Sequence, residues 1–163
     1  NEAKLIRNGN RLYEEKKFKE AEVDYRKALE VNKDSYKGEF NLGDALYQQE
    51  NYEESAKIFN DLTVKQPEKT FKGESFYNLG NSLLEAKKFE ESIKAYKNAL
   101  RNNPDDIDSK YNLEYARKNS VTCMLGSMLE GPHSINIALY LAMAYSDVIM
   151  YIDLDSPLLN KEL

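Results

Sequence analysis

Hydrophobic residues recur every three or four positions through residues 1–118, and lysine and glutamate occupy many of the positions between them. This spacing predicts amphipathic α-helices, each with one apolar face and one solvated face. In one stretch the pattern predicts a helix over residues 73–86 and a second over residues 89–102, joined by a short turn. Pro104 ends the second helix, and a further helix is predicted over residues 107–118.

The same pattern occurs three times along the chain, marked by Gly9, Gly43 and Gly80. Small residues let neighbouring helices approach, and an aromatic ring fills the space that they leave. Each unit is therefore predicted to be a helical hairpin, and stacked hairpins bury together the apolar face that one hairpin leaves exposed. The expected fold is an all-α solenoid. The positions that follow each glycine by twelve, sixteen and nineteen residues are Ala21, Ser55 and Ser92; Tyr25, Phe59 and Tyr96; and Ala28, Leu62 and Ala99.

These recurring small, aromatic and proline positions resemble the tetratricopeptide repeat (TPR) family. The resemblance covers residues 2–35, 36–69 and 73–106 and the following helix at 107–118, with residues 70–72 as a three-residue insertion. The amino-acid sequence of the repeats is also similar to that of the TPR protein of bacterial aerotolerance (Bat) operons. That second resemblance implies a setting in the bacterial periplasm or cell envelope; without it, the expected location is cytoplasmic.

TPR arrays carry a concave groove lined by the first helix of each hairpin, so the resemblance implies a groove that binds a partner peptide or helix. An asparagine amide both donates and accepts hydrogen bonds, which suits an extended peptide backbone. Aromatic side chains beside it add the apolar area typical of binding hot spots. The implied groove residues are Arg7, Asn10, Tyr13, Phe40, Asn41, Asp44, Tyr47, Tyr77, Asn78, Asn81, Tyr111 and Asn112, with Ile6, Leu84 and Tyr115 beside them.

A second interpretation of these residues stays open, in which the asparagines cap or bridge adjacent helices and the tyrosines belong to the core. The resemblance also bears on the ligand. Some TPR proteins clamp the carboxylates of chaperone tails with lysine and arginine, but here Ile6, Glu74 and Asn78 stand at those positions. Because the cations for that clamp are missing, we do not expect a chaperone-tail adaptor.

Charge and reactive side chains exclude several classes of protein. A net charge of −5 argues against a nucleic-acid partner. The single cysteine, Cys123, allows no internal disulfide or thiolate metal site, and the single histidine, His133, is typical of a loop or cap residue. No phosphate-binding loop, metalloprotease motif or nucleophile motif is present. We therefore expect a non-catalytic interaction scaffold, not an enzyme, without a cofactor or metal.

The composition changes near residues 118–120. Residues 119–163 hold six charged residues, and residues 134–152 are almost entirely apolar, which predicts a helix there. Three interpretations stay open for this tail: a helix buried in protein, foreign sequence, or a membrane span. The alternative function is a structural or oligomerisation module, in which residues 134–152 mediate a homodimer or membrane contact. The start of the chain lacks a signal-like segment and an initiator methionine, so we also expect a mature or excised form.

Overall fold

The computed structural model describes residues 1–65 and 68–128, with side chains described as far as Cys123. Within these residues the chain forms seven α-helices and no strand. The predicted helix over residues 134–152, its homodimer or membrane contact, and His133 lie outside the described residues. The helices are α1 (Glu2–Glu14), α2 (Phe18–Val31), α3 (Tyr36–Gln48), α4 (Tyr52–Lys65), α5 (Lys69–Glu85), α6 (Phe89–Asn102) and α7 (Ile107–Met128).

Each pair of consecutive helices from α1 and α2 through α5 and α6 packs together. The first helices of successive hairpins also touch, because α1 contacts α3 and α3 contacts α5. This arrangement confirms the predicted all-α solenoid of stacked helical hairpins. The repeats form a compact unit that comprises Asn1–Ala116.

The three hairpin turns share one backbone geometry. Lys16, Glu50 and Lys87 each lie seven residues after a repeat glycine and have φ values of 59°, 62° and 59°. In the third turn, the backbone N–H of Lys88 donates to the carbonyl of Leu83 at 2.8 Å. This pattern is a Schellman motif, which satisfies carbonyls that the end of a helix leaves unpaired. The turn geometry therefore brings each second helix back against the first.

Each repeat glycine lies under the aromatic ring of its own hairpin, as predicted. A Cβ atom added at Gly80 would lie 2.5 Å from Cε1 of Tyr96, and one added at Gly43 would lie 2.7 Å from Cζ of Phe59. The small residue of the second helix adds a hydrogen bond, since the Ser92 hydroxyl donates to the Gly80 carbonyl at 2.9 Å. The glycine, serine and aromatic positions thus form one close helix–helix contact that the sequence repeats.

Two helices differ from the predicted boundaries. The insertion at residues 70–72 belongs to the first turn of α5, which begins at Lys69 and not at the predicted residue 73. The ring of Phe71 lies 5.0 Å from the ring of Tyr36, so the added turn packs against the preceding repeat. The helix predicted to end at residue 118 continues to Met128. No helix in the described part of the chain is long and apolar enough to cross a membrane.

Candidate functional site

Hydrogen bonds link the first helices of successive hairpins at equivalent positions. The Asn41 amide donates to Oδ1 of Asn10 at 2.8 Å, and the Asn112 amide donates to Oδ1 of Asn81 at 3.0 Å. Between them, Asn78 donates to Oδ1 of Asp44 at 3.3 Å. In each pair the acceptor directly follows a repeat glycine, and the donor belongs to the next first helix. We call these six residues the amide ladder: Asn10, Asn41, Asp44, Asn78, Asn81 and Asn112.

Buried tyrosine hydroxyls join two of the three ladder pairs. Tyr25 donates to Oδ1 of Asn10 at 2.9 Å, and Tyr96 donates to Oδ1 of Asn81 at 2.7 Å. Both rings are almost completely buried. The bridging interpretation of the asparagines is therefore what the structure shows, and it stabilises the contacts between repeats. A role for the same amides in peptide binding stays a prediction.

Replacing Tyr96 with phenylalanine is expected to lower the free energy of unfolding by about 1 kcal/mol, because Asn81 loses one of its two donors while the ring stays in place. Urea unfolding of the full chain measures the change. Tyr52→Phe is the matched control, since the Tyr52 ring packs on Tyr47 and its hydroxyl is not part of the ladder. Equal losses in the two variants would contradict a stabilising role for the ladder.

The aromatic residues predicted for the groove divide into packed and exposed groups. Phe40 lies 5.4 Å from the Phe59 ring and Tyr77 lies 6.2 Å from the Tyr96 ring, so both extend the core. Tyr47 is half-buried against Tyr52, and the pKa of its hydroxyl is raised to about 12 by burial. Core packing is thus part of what these predicted groove residues do.

Three predicted groove residues are exposed: Arg7 and Tyr111, at opposite ends of the repeats, and the ladder residue Asn10. Tyr111, on α7, is 72% exposed. Arg7, on α1, is also exposed, and its Nε donates to the carbonyl of Ala3 at 3.2 Å. The exposure of Tyr13 is intermediate between those of the packed and the exposed residues. Its side chain is half-buried, with its ring 5.1 Å from that of Phe18.

The structure brings six residues together around a cleft of about 210 Å³ between the first two hairpins. Burial alone raises the pKa of the Asp44 carboxyl in this cleft to about 7. Burial, and then the nearby Asp44, raises the pKa of the Tyr13 hydroxyl. Five of the lining residues were predicted from the sequence as repeat or groove positions, whereas no feature of the sequence pointed to Glu14. The residues that line the cleft are Asn10, Tyr13, Glu14, Tyr25, Asn41 and Asp44.

Comparison with known proteins gives the family. One profile described as "Tetratricopeptide repeat" matches residues 6–69, and a second with the same description matches residues 73–106. Together they account for more than half of the chain. Both profiles match the part of the chain in which the structure shows stacked hairpins.

Solved TPR structures have the same fold. The first TPR domain of human RPAP3 superposes with a TM-score of 0.68 and 16% identity, covering 74% of this chain and 93% of that domain. The first TPR of Spaghetti (RPAP3) bound to the HSP90 peptide SRMEEVD gives a TM-score of 0.66 and 19% identity, covering 76% and 93%. The TPR2AB domain of yeast Sti1 in complex with pHSP90 gives a TM-score of 0.71 and 22% identity, covering 90% of this chain and 57% of that chain.

One curated protein is similar over a short segment. This is the L-amino acid-D/L-Glu epimerase of Sulfurimonas denitrificans, which is 69% identical over 51 residues. The match covers 31% of this chain, and the chain spans only 15% of the length of that relative. The segment is thus a minor part of the enzyme, whereas the repeat profiles and the solved structures agree on the helical hairpins. Over residues 6–106, this chain belongs to the tetratricopeptide repeat family.

Proposed function

We propose that this chain is a non-catalytic scaffold that binds a segment of a partner protein on its first-helix face, which we define as the face formed by α1, α3, α5 and residues 107–116. The observation that carries the proposal is the cleft between the first two hairpins, which opens between ladder amides and tyrosine rings. Amides can pair with a peptide backbone, and tyrosines supply apolar contact area. Two solved TPR structures with the same fold are complexes, one with the HSP90 peptide SRMEEVD and one with pHSP90, which supports partner binding by this architecture.

The proposal assigns no epimerase activity to this chain. The matched segment of 51 residues is 15% of the epimerase, so the match does not extend the activity of that enzyme to this chain. Within the described residues, no group of histidine, cysteine, aspartate and glutamate side chains could hold a metal ion. The bacterial envelope setting implied by the Bat resemblance stays a proposal, which fractionation of the source cells would test.

An acidic chaperone tail is not the ligand that we propose. Asn78, at a position where the chaperone clamp uses a cation, already donates to Asp44 of the neighbouring repeat. Glu74, at another such position, is an exposed carboxylate. Two acidic groups of a bound tail would therefore meet like charge at this face.

Selection of random twelve-residue peptides displayed on phage against the full chain tests the proposed function. We expect the selected peptides to bind the unmodified chain and to bind Tyr111→Ser about 5- to 30-fold more weakly, because an exposed tyrosine on a binding face is a typical hot spot. Fluorescence anisotropy measures the affinities.

Val23→Ser is the matched control for this experiment. Val23 is an apolar residue on α2, which is a second helix, and it is 48% exposed. Its replacement removes exposed apolar area from outside the first-helix face, so peptide affinity is expected to stay unchanged. Selected peptides that bind Tyr111→Ser as tightly as they bind the unmodified chain would contradict the proposed function.

A further inference from the structure

The second repeat departs from the other two at the amide ladder. Where the first and third repeats have Asn10 and Asn81, it has Asp44, and where they have a buried tyrosine, it has Phe59. A phenylalanine ring provides no hydroxyl donor. Asp44 therefore lacks the tyrosine donor that serves its two counterparts, and Asn78 is the ladder residue that donates to it. A carboxylate has about four lone-pair sites, so this ladder position is under-satisfied compared with the other two.

The carboxylate of Asp44, with its spare acceptor sites, lies in the wall of a cleft. Asp44 lines a cleft of about 210 Å³ together with Tyr13 and Glu14 of α1 and Tyr25 of α2. A water molecule takes about 30 Å³ in the liquid, so a cleft of this size has room for the planar head group of a side chain. The cleft thus joins a carboxylate with spare acceptor sites to a space that is open to a ligand.

The charges around the cleft favour a cation. Glu14 is a second carboxylate on its rim, and tyrosine rings form part of the wall. The two arginines of α1 are engaged elsewhere, since Arg11 bonds to Glu15 at 2.5 Å and Arg7 bonds to a carbonyl of its own helix. Burial of Asp44 raises the pKa of its carboxyl to about 7, which is the response of a carboxylate that has lost water without gaining a cation.

We propose that this cleft receives an arginine side chain of the bound partner segment, with Asp44 as the carboxylate that pairs with it. The guanidinium group fits this surface better than an ammonium group does. Its planar set of donors can pair with both oxygens of one carboxylate, and its face can stack on an aromatic ring such as that of Tyr13. The inference rests on the proposed function, because it names the side chain that a peptide ligand brings to the first-helix face.

The test uses the full chain and the probe peptide acetyl-Gly-Gly-Xaa-Gly-Gly-amide. Xaa is arginine in one peptide and citrulline, its neutral isostere, in the other. Binding is followed by ¹⁵N chemical-shift titration of the backbone amides. We expect the arginine peptide to bind at least about tenfold more tightly than the citrulline peptide and to shift the amides of Tyr13 and Asp44.

Asp44→Asn is the informative variant, since asparagine occupies the equivalent ladder position in the other two repeats. It should bind the arginine peptide only as weakly as the citrulline peptide. Glu85→Gln is the matched control, because it removes a carboxylate of α5 that does not line the cleft, and it should keep the preference for arginine. Equal affinity of the unmodified chain for the two peptides, or an unchanged preference in Asp44→Asn, would overturn the inference.

A second readout separates a binding role of Asp44 from a structural one. The pKa of the Asp44 carboxyl, followed by ¹³C chemical shift, should fall when the arginine peptide is added and stay constant when the citrulline peptide is added. Failure of the inference is distinguishable from failure of the proposed function. Phage-selected peptides that depend on Tyr111 but bind the unmodified chain and Asp44→Asn equally would overturn only the arginine site.

Discussion

Gly80→Ala is expected to lower the free energy of unfolding by about 2–3 kcal/mol. The added Cβ would lie 2.5, 2.7 and 2.9 Å from three ring atoms of Tyr96, and the ring itself is fully buried. Because the ring is packed on all sides, it cannot move aside without displacing its neighbours, and overpacking of this kind costs about 1–3 kcal/mol. The higher helix propensity of alanine offsets about 1 kcal/mol of a larger steric cost, so a net loss of stability remains. Urea unfolding of the full chain measures the change.

Gly73→Ala is the control within the same helix. A Cβ atom at Gly73 would approach Asn102 Cβ at 3.3 Å and the Ala99 carbonyl at 3.8 Å. A shift of Asn102 by a few tenths of an ångström relieves the first contact, because this residue lies at the end of α6. We expect a change within about 1 kcal/mol of zero, with the helix propensity of alanine offsetting the strain. A similar loss in both variants would show that the contact between Gly80 and Tyr96 carries no special stability.

Asp44→Asn is expected to stabilise the chain by about 2–3 kcal/mol at pH 8 and by much less at pH 4. Burial raises the pKa of the Asp44 carboxyl from its ordinary value of 3.8 to about 7 in the folded chain. Between these two values the unfolded chain loses its proton while the folded chain keeps it. The unfolded state therefore binds fewer protons, and the contribution of Asp44 to stability falls as pH rises from 4 to 7.

The comparison between variant and unmodified chain isolates this contribution. Other carboxyls act in the opposite direction: hydrogen bonds from Ser35 and Asn32 lower the pKa of Glu2, and a bond from Arg26 lowers that of Glu54. Their effects cancel when the free energies of the two proteins are subtracted at each pH. Urea unfolding at several pH values gives that difference, and a difference that does not grow between pH 4 and pH 8 would contradict a raised pKa of the Asp44 carboxyl.

Asn81→Asp provides a control with the opposite substitution. It places a carboxylate at the equivalent position of the third repeat, where the Tyr96 hydroxyl and the Asn112 amide both donate to the acceptor. Two donors stabilise the charged form of a carboxylate more than one donor does. We therefore expect a smaller dependence of stability on pH in Asn81→Asp than the one that Asp44 causes in the unmodified chain.

The structure altered the interpretation of the groove more than that of the fold. The sequence placed Asn41, Asn78 and Tyr77 on the face that a peptide would contact, and it left open whether the asparagines bridge helices. Ladder bonds at 2.8 and 3.3 Å show that two of these amides do connect repeats. The same side chains can still present their remaining groups to a ligand, since an amide has two donor hydrogens and one acceptor oxygen.

The sequence by itself determined the helices, their pairing and the family. Glycine, small and aromatic residues recurred together at a fixed spacing, and such a local pattern fixes which faces of two neighbouring helices meet. It also located the change of composition near residue 118. The first turn of α5 was not predicted, because the spacing of the repeats does not show whether an insertion between them is helical. In the structure the Phe71 ring of this turn packs against Tyr36 of the preceding repeat.

Only the tertiary structure decided what the polar side chains do. The pairing of Asn10 with Asn41 joins residues 31 positions apart, and the rotation between stacked hairpins sets its geometry. The cleft beside Asp44 depends in the same way on residues from α1, α2 and α3. Burial and hydrogen bonding arise from the positions of several helices at once, whereas periodicity records only the neighbours within one or two of them. For that reason the repeats could be predicted from the sequence, whereas the unusual environment of the Asp44 carboxylate could not.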